Sequence, residues 1–341
     1  NIFNQTFDKV TGETIPQGTL VVDKTSMSNA EAMYNFKEHI KLFELIVGGQ
    51  YRYYRVNTEG TTFFDEPGSP VNTWWWGAFA QVGKSAMNDR LKLTMSARYD
   101  KHQKFDGIFT PRFSMVYSLD NERKHSFRAS LQSAFRYPSI ADQWVDLNVG
   151  AFHVVGGLPE VHDKYGLRSN PVYPLTGSNP ITDRPFLDEG PLELPVFRPE
   201  KVTAYELGYR GLFFGDKLLV DGYIYQNRYN GFHAAQLLAI YPNTPQEAKY
   251  QTTVSSDSKV TSSGWALGGD LRLPGKFSIS GNIAYNAITN DDDVPPGFQT
   301  QFNTPDYRLN IGFGKKNIVK NLSENINWRW QNDFYWESTF G

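Results

Sequence analysis

The sequence predicts an all-β protein, an antiparallel up-and-down transmembrane β-barrel, of which this chain forms a part. Three observations support this fold class. Many segments alternate apolar and polar residues with a period of two, and the connections between them alternate between short and long. Aromatic residues make up 15% of the chain and are accompanied by 29 Gly, a composition that suits strands touching a bilayer. No run approaches the 18 apolar residues of a membrane-spanning helix.

The alternation is clearest in residues 90–100. There the apolar side chains of Leu91, Leu93, Met95, Ala97 and Tyr99 are separated by charged or hydroxyl-bearing residues. A helix would distribute both sets around its whole surface, whereas a strand places each set on its own face. This segment is therefore predicted to be a strand with one apolar and one wet face.

The same pattern recurs along the chain. Further strands are predicted at 109–119, 126–136, 202–213, 217–229, 277–286, 306–314 and 325–331. Weaker matches lie at 32–38, 43–56, 73–82 and 260–273. The total is about twelve strands, each near the roughly ten residues that a tilted transmembrane strand needs.

The connections form two sets. The short set is 83–88, 120–124, 214–216, 274–275 and 315–323, and the other set is 57–72, 101–106, 137–200, 231–259 and 289–305. Only 101–106 in the second set is short. Tight turns at one end and long loops at the other are typical of outer-membrane barrels, whose turns are periplasmic and whose loops are extracellular. Trp74 and Trp76 would then lie in the outer aromatic girdle.

Composition excludes several functional classes. A formal net charge of −2 argues against a nucleic-acid partner, and the absence of Cys excludes disulfides and thiolate chemistry. The six His are not at metal-ligand spacing, and no catalytic motif is present, so no enzymatic activity is predicted. The first residues, NIFNQTFDKV, have no signal-peptide character, so we expect the numbering to start inside a longer precursor.

Several short motifs then point to a family. They are GAFAQVGK (77–84), TPRFSMVYSL (110–119), FRYPSIADQW (135–144), RPEKVTAYELGYRGLF (198–213), LLVDGYIYQNRYNGF (218–232) and FNTPDYRLNIGFG (302–314). In this order and spacing they resemble the barrel of TonB-dependent outer-membrane receptors. The YRYYRVN strand and the WRWQNDFYWESTFG segment are similar to Bacteroidetes members of that family.

The resemblance implies active uptake of a scarce, bulky solute, such as an iron chelate, a glycan or a peptide, across the outer membrane of a Gram-negative bacterium. Family members have a barrel of roughly 22 strands and an N-terminal plug through which TonB acts. Twelve strands without a plug imply that the plug and the terminal strands lie outside this chain. Outer-membrane lipids, lipopolysaccharide and a surface lipoprotein are further expected partners.

Three alternatives remain open at this stage. A passive porin would have the same kind of wall without energy coupling. A structural or secretion-associated barrel would dock a surface lipoprotein and transport no solute. A soluble propeller or sandwich would also have strands in which apolar and polar residues alternate, but it would not need an apolar outer belt.

Two sets of residues are candidates for function. Charged residues of the wet strand faces are predicted to face the plug: Arg98, Arg112, Arg128, Glu206, Arg210 and Asp221. Residues of the 137–200 loop and the adjacent lumen are predicted to contact the solute: Arg136, Trp144, His153, Tyr165, Tyr173 and Tyr225. The competing interpretation is internal ion pairing of the wall and a loop packed on itself.

No organic cofactor or transition-metal site is predicted. Asp291, Asp292 and Asp293 form an acidic cluster in a predicted extracellular loop, where a structural calcium ion is the one metal the sequence suggests.

Overall fold

The computed structural model describes residues 5–7, 14–16, 21–175, 191–256, 259–290, 303–334 and 336. Its strands are β1 (Gln5–Phe7), β2 (Thr14–Pro16), β3 (Ser26–Asn35), β4 (Glu44–Val56), β5 (Val71–Ala86), β6 (Leu91–His102), β7 (Ile108–Ser118), β8 (His125–Arg136), β9 (Asp146–Asn148), β10 (His153–Val155), β11 (Val172–Pro174), β12 (Glu200–Phe213), β13 (Leu218–Asn230), β14 (His233–Ile240), β15 (Ala248–Ser255), β16 (Val260–Leu273), β17 (Phe277–Asn290), β18 (Tyr307–Val319) and β19 (Leu322–Gln331). Its helices are α1 (Ile140–Trp144) and α2 (Pro159–Lys164), with 3-10 turns at Phe36–Glu38 and Pro274–Lys276.

Twelve strands form one antiparallel sheet in the order β19-β18-β17-β16-β13-β12-β8-β7-β6-β5-β4-β3. Consecutive strands of this sheet are neighbours, apart from the insertions that follow β8 and β13, so its topology is up-and-down. The predicted number of strands is confirmed. The weak prediction at 32–38 was displaced, because the strand there is Ser26–Asn35 and ends in a 3-10 turn.

The two faces of the sheet differ in chemistry. On one face, a row of paired residues runs across four strands, from Met95 through Phe113 and Leu131 to Tyr205. These four side chains are exposed, as are Leu207, Ile224, Leu267, Ile311 and Trp328 on the same face. A continuous exposed apolar surface of this extent needs an apolar environment. The opposite, polar face carries the charged residues of the same strands.

Within the described residues, the predicted turns lie at one end of the sheet and the predicted loops at the other, and most of the predicted loop 289–305 lies outside those residues. The turn between β5 and β6 spans only residues 87–90, and the one between β12 and β13 spans 214–217. Between β18 and β19 the strands extend further than predicted, with an irregular register between Lys315 and Val319 and a turn at residues 320–321. Of the described residues, the loop end carries 57–70, 103–107, 137–175, 191–199, 231–256 and 259.

The two longest connections fold together into a compact unit, here called the cap (residues 137–175, 191–199 and 231–256). Its sheet has the order β11-β14-β15-β10-β9, with β10 parallel to β15 and the other pairs antiparallel. The most deeply buried core of the described residues lies here, formed around Val155, Leu158, Val161 and Leu238. The sequence predicted loops of little periodicity at these places, and the structure instead has short strands and helices packed on one another.

Helix α1 begins with a reciprocal cap. The Ser139 hydroxyl accepts a hydrogen bond from the Asp142 backbone N–H, and the Asp142 carboxylate accepts one from the Ser139 N–H. This capping box fixes the start of a helix that is too short to be stable in isolation. It thereby fixes Gln143 and Trp144, the last two residues of the helix, against the sheet and the cap core. Within the described residues, no helix is long and apolar enough to span a membrane.

Candidate functional site: the polar face and the cap

The polar face is centred on one arginine. The Arg128 guanidinium donates hydrogen bonds to both carboxylate oxygens of Asp221 at 2.9 and 3.1 Å, and to Glu206 at 3.2 Å. Its guanidinium carbon also lies 5.5 Å from the centre of the Tyr223 ring. Three of the six predicted plug-facing residues therefore form one ion-pair network that joins β8, β12 and β13.

A second ion pair lies on β6. Arg98 binds Asp100 through Nε and Nη2, with distances of 2.6–2.9 Å. Asp100 is only 1% exposed. Because Arg98 and Asp100 are two residues apart on one strand, they share the polar face, as the sequence predicted.

Arg112 and Arg210 complete the predicted set. Both lie on the polar face, since Arg112 pairs with Gln132 and Arg210 with Asp221 in the sheet register. Neither side chain forms a hydrogen bond or ion pair with another described residue. All six residues thus share one face, and their contact with a plug stays a prediction.

The cap contains a polar cluster around Asp146. Its carboxylate accepts hydrogen bonds from Lys164 Nζ at 2.7 Å and from the Tyr165 hydroxyl at 2.5 Å, and it contacts His153 Nε2 at 2.7 Å. Burial raises the pKa of the Asp146 carboxyl, but these hydrogen bonds together outweigh burial and hold it below its ordinary value. Burial and the bond to Asp146 raise the pKa of Tyr165.

The cluster includes two of the predicted solute contacts, His153 and Tyr165. The rings of His153 and Tyr165 lie 4.6 Å apart, and both pack against Tyr250. Their polar atoms are directed to Asp146 and bind β9, β10 and α2 to one another. In this arrangement the two side chains stabilise the cap, and their contact with a solute stays a prediction.

Trp144 lies in the cap core, where it is 4% exposed. Lys104 from the 103–107 loop covers its ring at 5.1 Å and forms an ion pair with Glu160 of α2. A ring with this burial packs the cap core, and contact between Trp144 and a solute stays a prediction. The aromatic composition of the segment did not distinguish core packing from solute contact.

The other predicted contacts are more accessible. Tyr173 is half-buried in β11, opposite Ala239. Tyr225 lies on the polar face of β13 and donates a 2.6 Å hydrogen bond to Asn286.

Arg136, at the junction of sheet and cap, forms a 2.8 Å ion pair with Glu200. Arg136 and Glu200 line a cavity of about 760 Å3 that also reaches His233, whose pKa is lowered chiefly by burial.

A second cavity, of about 500 Å3, separates α1 from the polar face of β4 to β6. Its lining includes Arg98 among the predicted residues, and Arg52, Trp75, His102, Tyr137 and Gln143, which the sequence analysis did not select. One signal was present for Trp75. It has the opposite parity from Trp74 and Trp76 in the same strand, which places it on the polar face.

No group of three metal-binding side chains is found among the described residues. The acidic cluster Asp291 to Asp293 lies outside those residues, so the calcium site stays a prediction.

A sheet with an apolar belt on one face, a charged opposite face, tight turns at one end and a folded cap at the other defines an outer-membrane β-barrel. The comparison with protein families is specific: residues 3–340 match the family described as TonB dependent receptor-like, beta-barrel. The chain therefore belongs to the TonB-dependent receptor β-barrel family, whose members lie in the outer membrane of Gram-negative bacteria.

Solved structures show the same fold. The ferric enterobactin receptor PfeA from Pseudomonas aeruginosa matches with a TM-score of 0.61 at 14% identity, over 95% of this chain and 43% of that chain. The siderophore receptor PirA from Pseudomonas aeruginosa gives 0.60 at 17% identity, over 92% and 49%. The FrpB iron transporter from Neisseria meningitidis gives 0.56 at 14% identity, over 89% and 42%. The chain spans less than half the length of each of these structures, and no curated protein matches its sequence.

Proposed function

We propose that the protein containing this chain takes up a scarce, bulky solute across the outer membrane with energy supplied through TonB. The observation that carries this proposal is the family match over residues 3–340, which extends across the wall and the cap together. The proteins matched are receptors and transporters, and we accordingly propose no catalytic activity.

For the solute we propose an iron chelate. The names of PfeA, PirA and FrpB describe siderophore or iron receptors, and these structures have the fold of this chain. The low sequence identities supply the fold and not the ligand, so this part of the proposal depends on its own test. Glycans and peptides are the other classes to be tested.

In this proposal the cap, the apolar face and the polar face have different roles. The loop end of the sheet would face the outside, so that the cap meets the solute, and the apolar face would contact lipid and lipopolysaccharide. The polar face would hold the plug, through which TonB acts. Arg112 and Arg210 are suited to this role because their guanidinium groups have no partner within the part of the chain that the structure describes and could bind acidic groups of a plug.

The test is accumulation of radioactive iron supplied as a siderophore, in cells that produce the protein with and without a functional TonB. Uptake that requires both the protein and TonB supports the proposal. Uptake independent of TonB would indicate a passive porin. Glycan or peptide uptake would change the solute class, and no uptake together with a stably bound surface lipoprotein would indicate a docking barrel.

A further inference from the structure

The cavity beneath α1, here called the Trp75 cavity, combines two arginines with buried polar atoms that have no partner. It is lined by Arg52, Trp75, Arg98, His102, Tyr137 and Gln143, among others, and its volume of about 500 Å3 is that of a small-molecule site.

The two guanidinium groups retain free donors. Arg52 donates through Nε to Asn29 at 3.1 Å and through Nη1 to Tyr54 at 3.4 Å, and its Nη2 has no partner among the described residues. Arg98 uses Nε and Nη2 to bind Asp100, which leaves Nη1. Among the described residues that line the cavity, Asp100 is the only carboxylate, so these residues leave one positive charge without a counter-charge.

The register places these groups side by side. The guanidinium of Arg52 lies 5.1 Å from the Trp75 ring, and that of Arg98 lies directly above Gly77, where a Cβ atom would overlap with it. Trp75 and Gly77 are two residues apart on the same face of β5, a separation of about 7 Å. The two cationic groups thus lie over neighbouring positions on one face of β5, and guanidinium forks of this kind bind carboxylate groups.

The opposite side of the cavity supplies further polar atoms. Gln143 is 2% exposed, and its Nε2 donates to the Pro138 carbonyl at 2.7 Å, but its Oε1 has no partner among the described residues. The buried Tyr137 hydroxyl is also without one. Buried polar atoms are normally satisfied, so Gln143 Oε1 can accept a hydrogen bond from a molecule bound in the cavity.

His102 adds a donor. Its Nδ1 accepts a 3.0 Å hydrogen bond from the Lys104 backbone N–H, so the proton of the neutral ring lies on Nε2. The rings of Trp75, His102 and Tyr137 are close to one another, with centroids 4.8 Å apart for His102 and Tyr137 and 6.3 Å apart for Trp75 and Tyr137. These rings give the cavity an apolar wall beside its charged one.

We propose that the Trp75 cavity binds a carboxylate-bearing part of the solute, with Arg52 and Arg98 as the cationic contacts for the carboxylate and Gln143 as the acceptor for a neighbouring donor group. This inference rests on the proposed function for its biological meaning. Its chemistry is tested separately, by binding alone.

The probe is glutarate, a small dicarboxylate, and its matched control is glutaramide, which has the same shape without charge. Binding to the purified full-length protein in detergent is measured by calorimetry. We expect glutarate to bind more tightly than glutaramide, because only glutarate carries the negative charge that the two arginines bind. Arg52→Gln should weaken glutarate binding about tenfold or more, because a charge-assisted bond in a partly buried site is lost. Gln143→Glu keeps the size of the side chain but adds a negative charge, and it should weaken glutarate binding as well.

The matched control variant is Arg329→Gln, which removes one arginine from the same face at the far end of the sheet and should leave binding unchanged. Retained mobility of the folded barrel on unheated gels verifies that each variant is folded. Equal binding of glutarate and glutaramide, or full binding by folded Arg52→Gln, would overturn the proposal. Carboxylate binding without TonB-dependent uptake would leave the cavity assignment standing and contradict the proposed function instead.

Discussion

Two glycines of the polar face, Gly77 and Gly208, lie under the charged side chains that dominate it. A Cβ atom at Gly77 would overlap with Asp100 and Arg98, and one at Gly208 would lie 2.6 Å from Nε of Arg128. Each glycine is the register partner of a charged residue, Asp100 or Arg128. The ion pairs can therefore lie flat against the sheet because the neighbouring strand presents no side chain at that point.

Gly77→Ala should consequently destabilise the protein by about 1–3 kcal/mol, the usual cost of inserting a methyl group into a closely packed site. Asp100 is buried and held by Arg98, so it cannot move aside cheaply. The free energy of unfolding, measured by urea titration in detergent or lipid, checks this expectation. Gly268→Ala is the matched control, because its Cβ would meet nothing nearer than 3.5 Å on the same face. Equal losses in the two variants would contradict the explanation.

His162 makes the cap sensitive to acid. It lies in α2 and contacts Thr252 Oγ1 at 2.8 Å, and burial, followed by the charge of Arg168, lowers its pKa. The folded cap therefore holds the neutral ring, while the unfolded segment takes up a proton as the pH falls below about 6.5. Stability is thus full above that pH and declines below it, by up to about 1.4 kcal/mol per pH unit for one histidine.

Hydrogen–deuterium exchange of residues 159–167 should accordingly accelerate on acidification from neutral pH to pH about 5, after correction for the intrinsic exchange rate. His162→Gln keeps a hydrogen-bonding group opposite Thr252 but does not titrate, and it should show a shallower pH dependence. His233 is also buried with a lowered pKa, so some dependence will remain. If the exchange of residues 159–167 in His162→Gln kept the pH dependence of the parent protein, His162 would not control the local unfolding of the cap.

At the scale of elements, the long strands and the cap differ in how far the sequence predicts them. Strands such as β6 and β13 have one face in an apolar medium and one in water, so their alternation is visible over ten or more residues. β14 is buried on both faces and carries the run AAQLLAI, which has no alternation to detect. β9, β10 and β11 have three residues each, too few for any period.

The candidate site also has features that the sequence predicts and features that it does not. Residue parity correctly assigned all six charged residues to one face, because that assignment depends only on local alternation. The partners of Arg128 depend on the register of β8, β12 and β13, and the burial of Trp144 depends on two loops meeting. Neither is contained in the local pattern of one segment.

The cap should also behave as an element with its own stability. Leu238 is 0% exposed in β14, and Leu238→Ala should cost the cap about 2–5 kcal/mol through the lost contacts and the cavity left behind. The main sheet shares few of these contacts and should be unaffected. We expect limited proteolysis to cleave within the cap of this variant while the barrel keeps its mobility on unheated gels. Val196→Ala, at a side chain that is 75% exposed, is the control and should resist cleavage like the parent protein. Loss of the whole barrel in Leu238→Ala would show that cap and wall fold as one unit.

At the scale of the whole molecule, the central question is which medium each face of the sheet meets. An isolated sheet with this much exposed apolar surface would aggregate in water, and its edge strands β3 and β19 each have a neighbour on one side only among the described residues. Both observations fit a wall that is completed by further strands and surrounded by lipid. The assignment predicts opposite responses from adjacent residues of the same strand.

Leu131 and Ser130 provide that comparison near the centre of β8. Leu131 is 47% exposed on the apolar face, and Ser130 lies on the polar face opposite Glu206. Leu131→Arg should cost about 2–4 kcal/mol, as arginine does at the midplane of a bilayer. Ser130→Arg should cost far less, because its charge lies in a wet lumen within reach of the Glu206 carboxylate. Reversible unfolding from lipid vesicles measures both. A larger loss of unfolding free energy for Ser130→Arg than for Leu131→Arg would show that the polar face meets lipid. Equal small losses would mean that the apolar belt does not contact lipid.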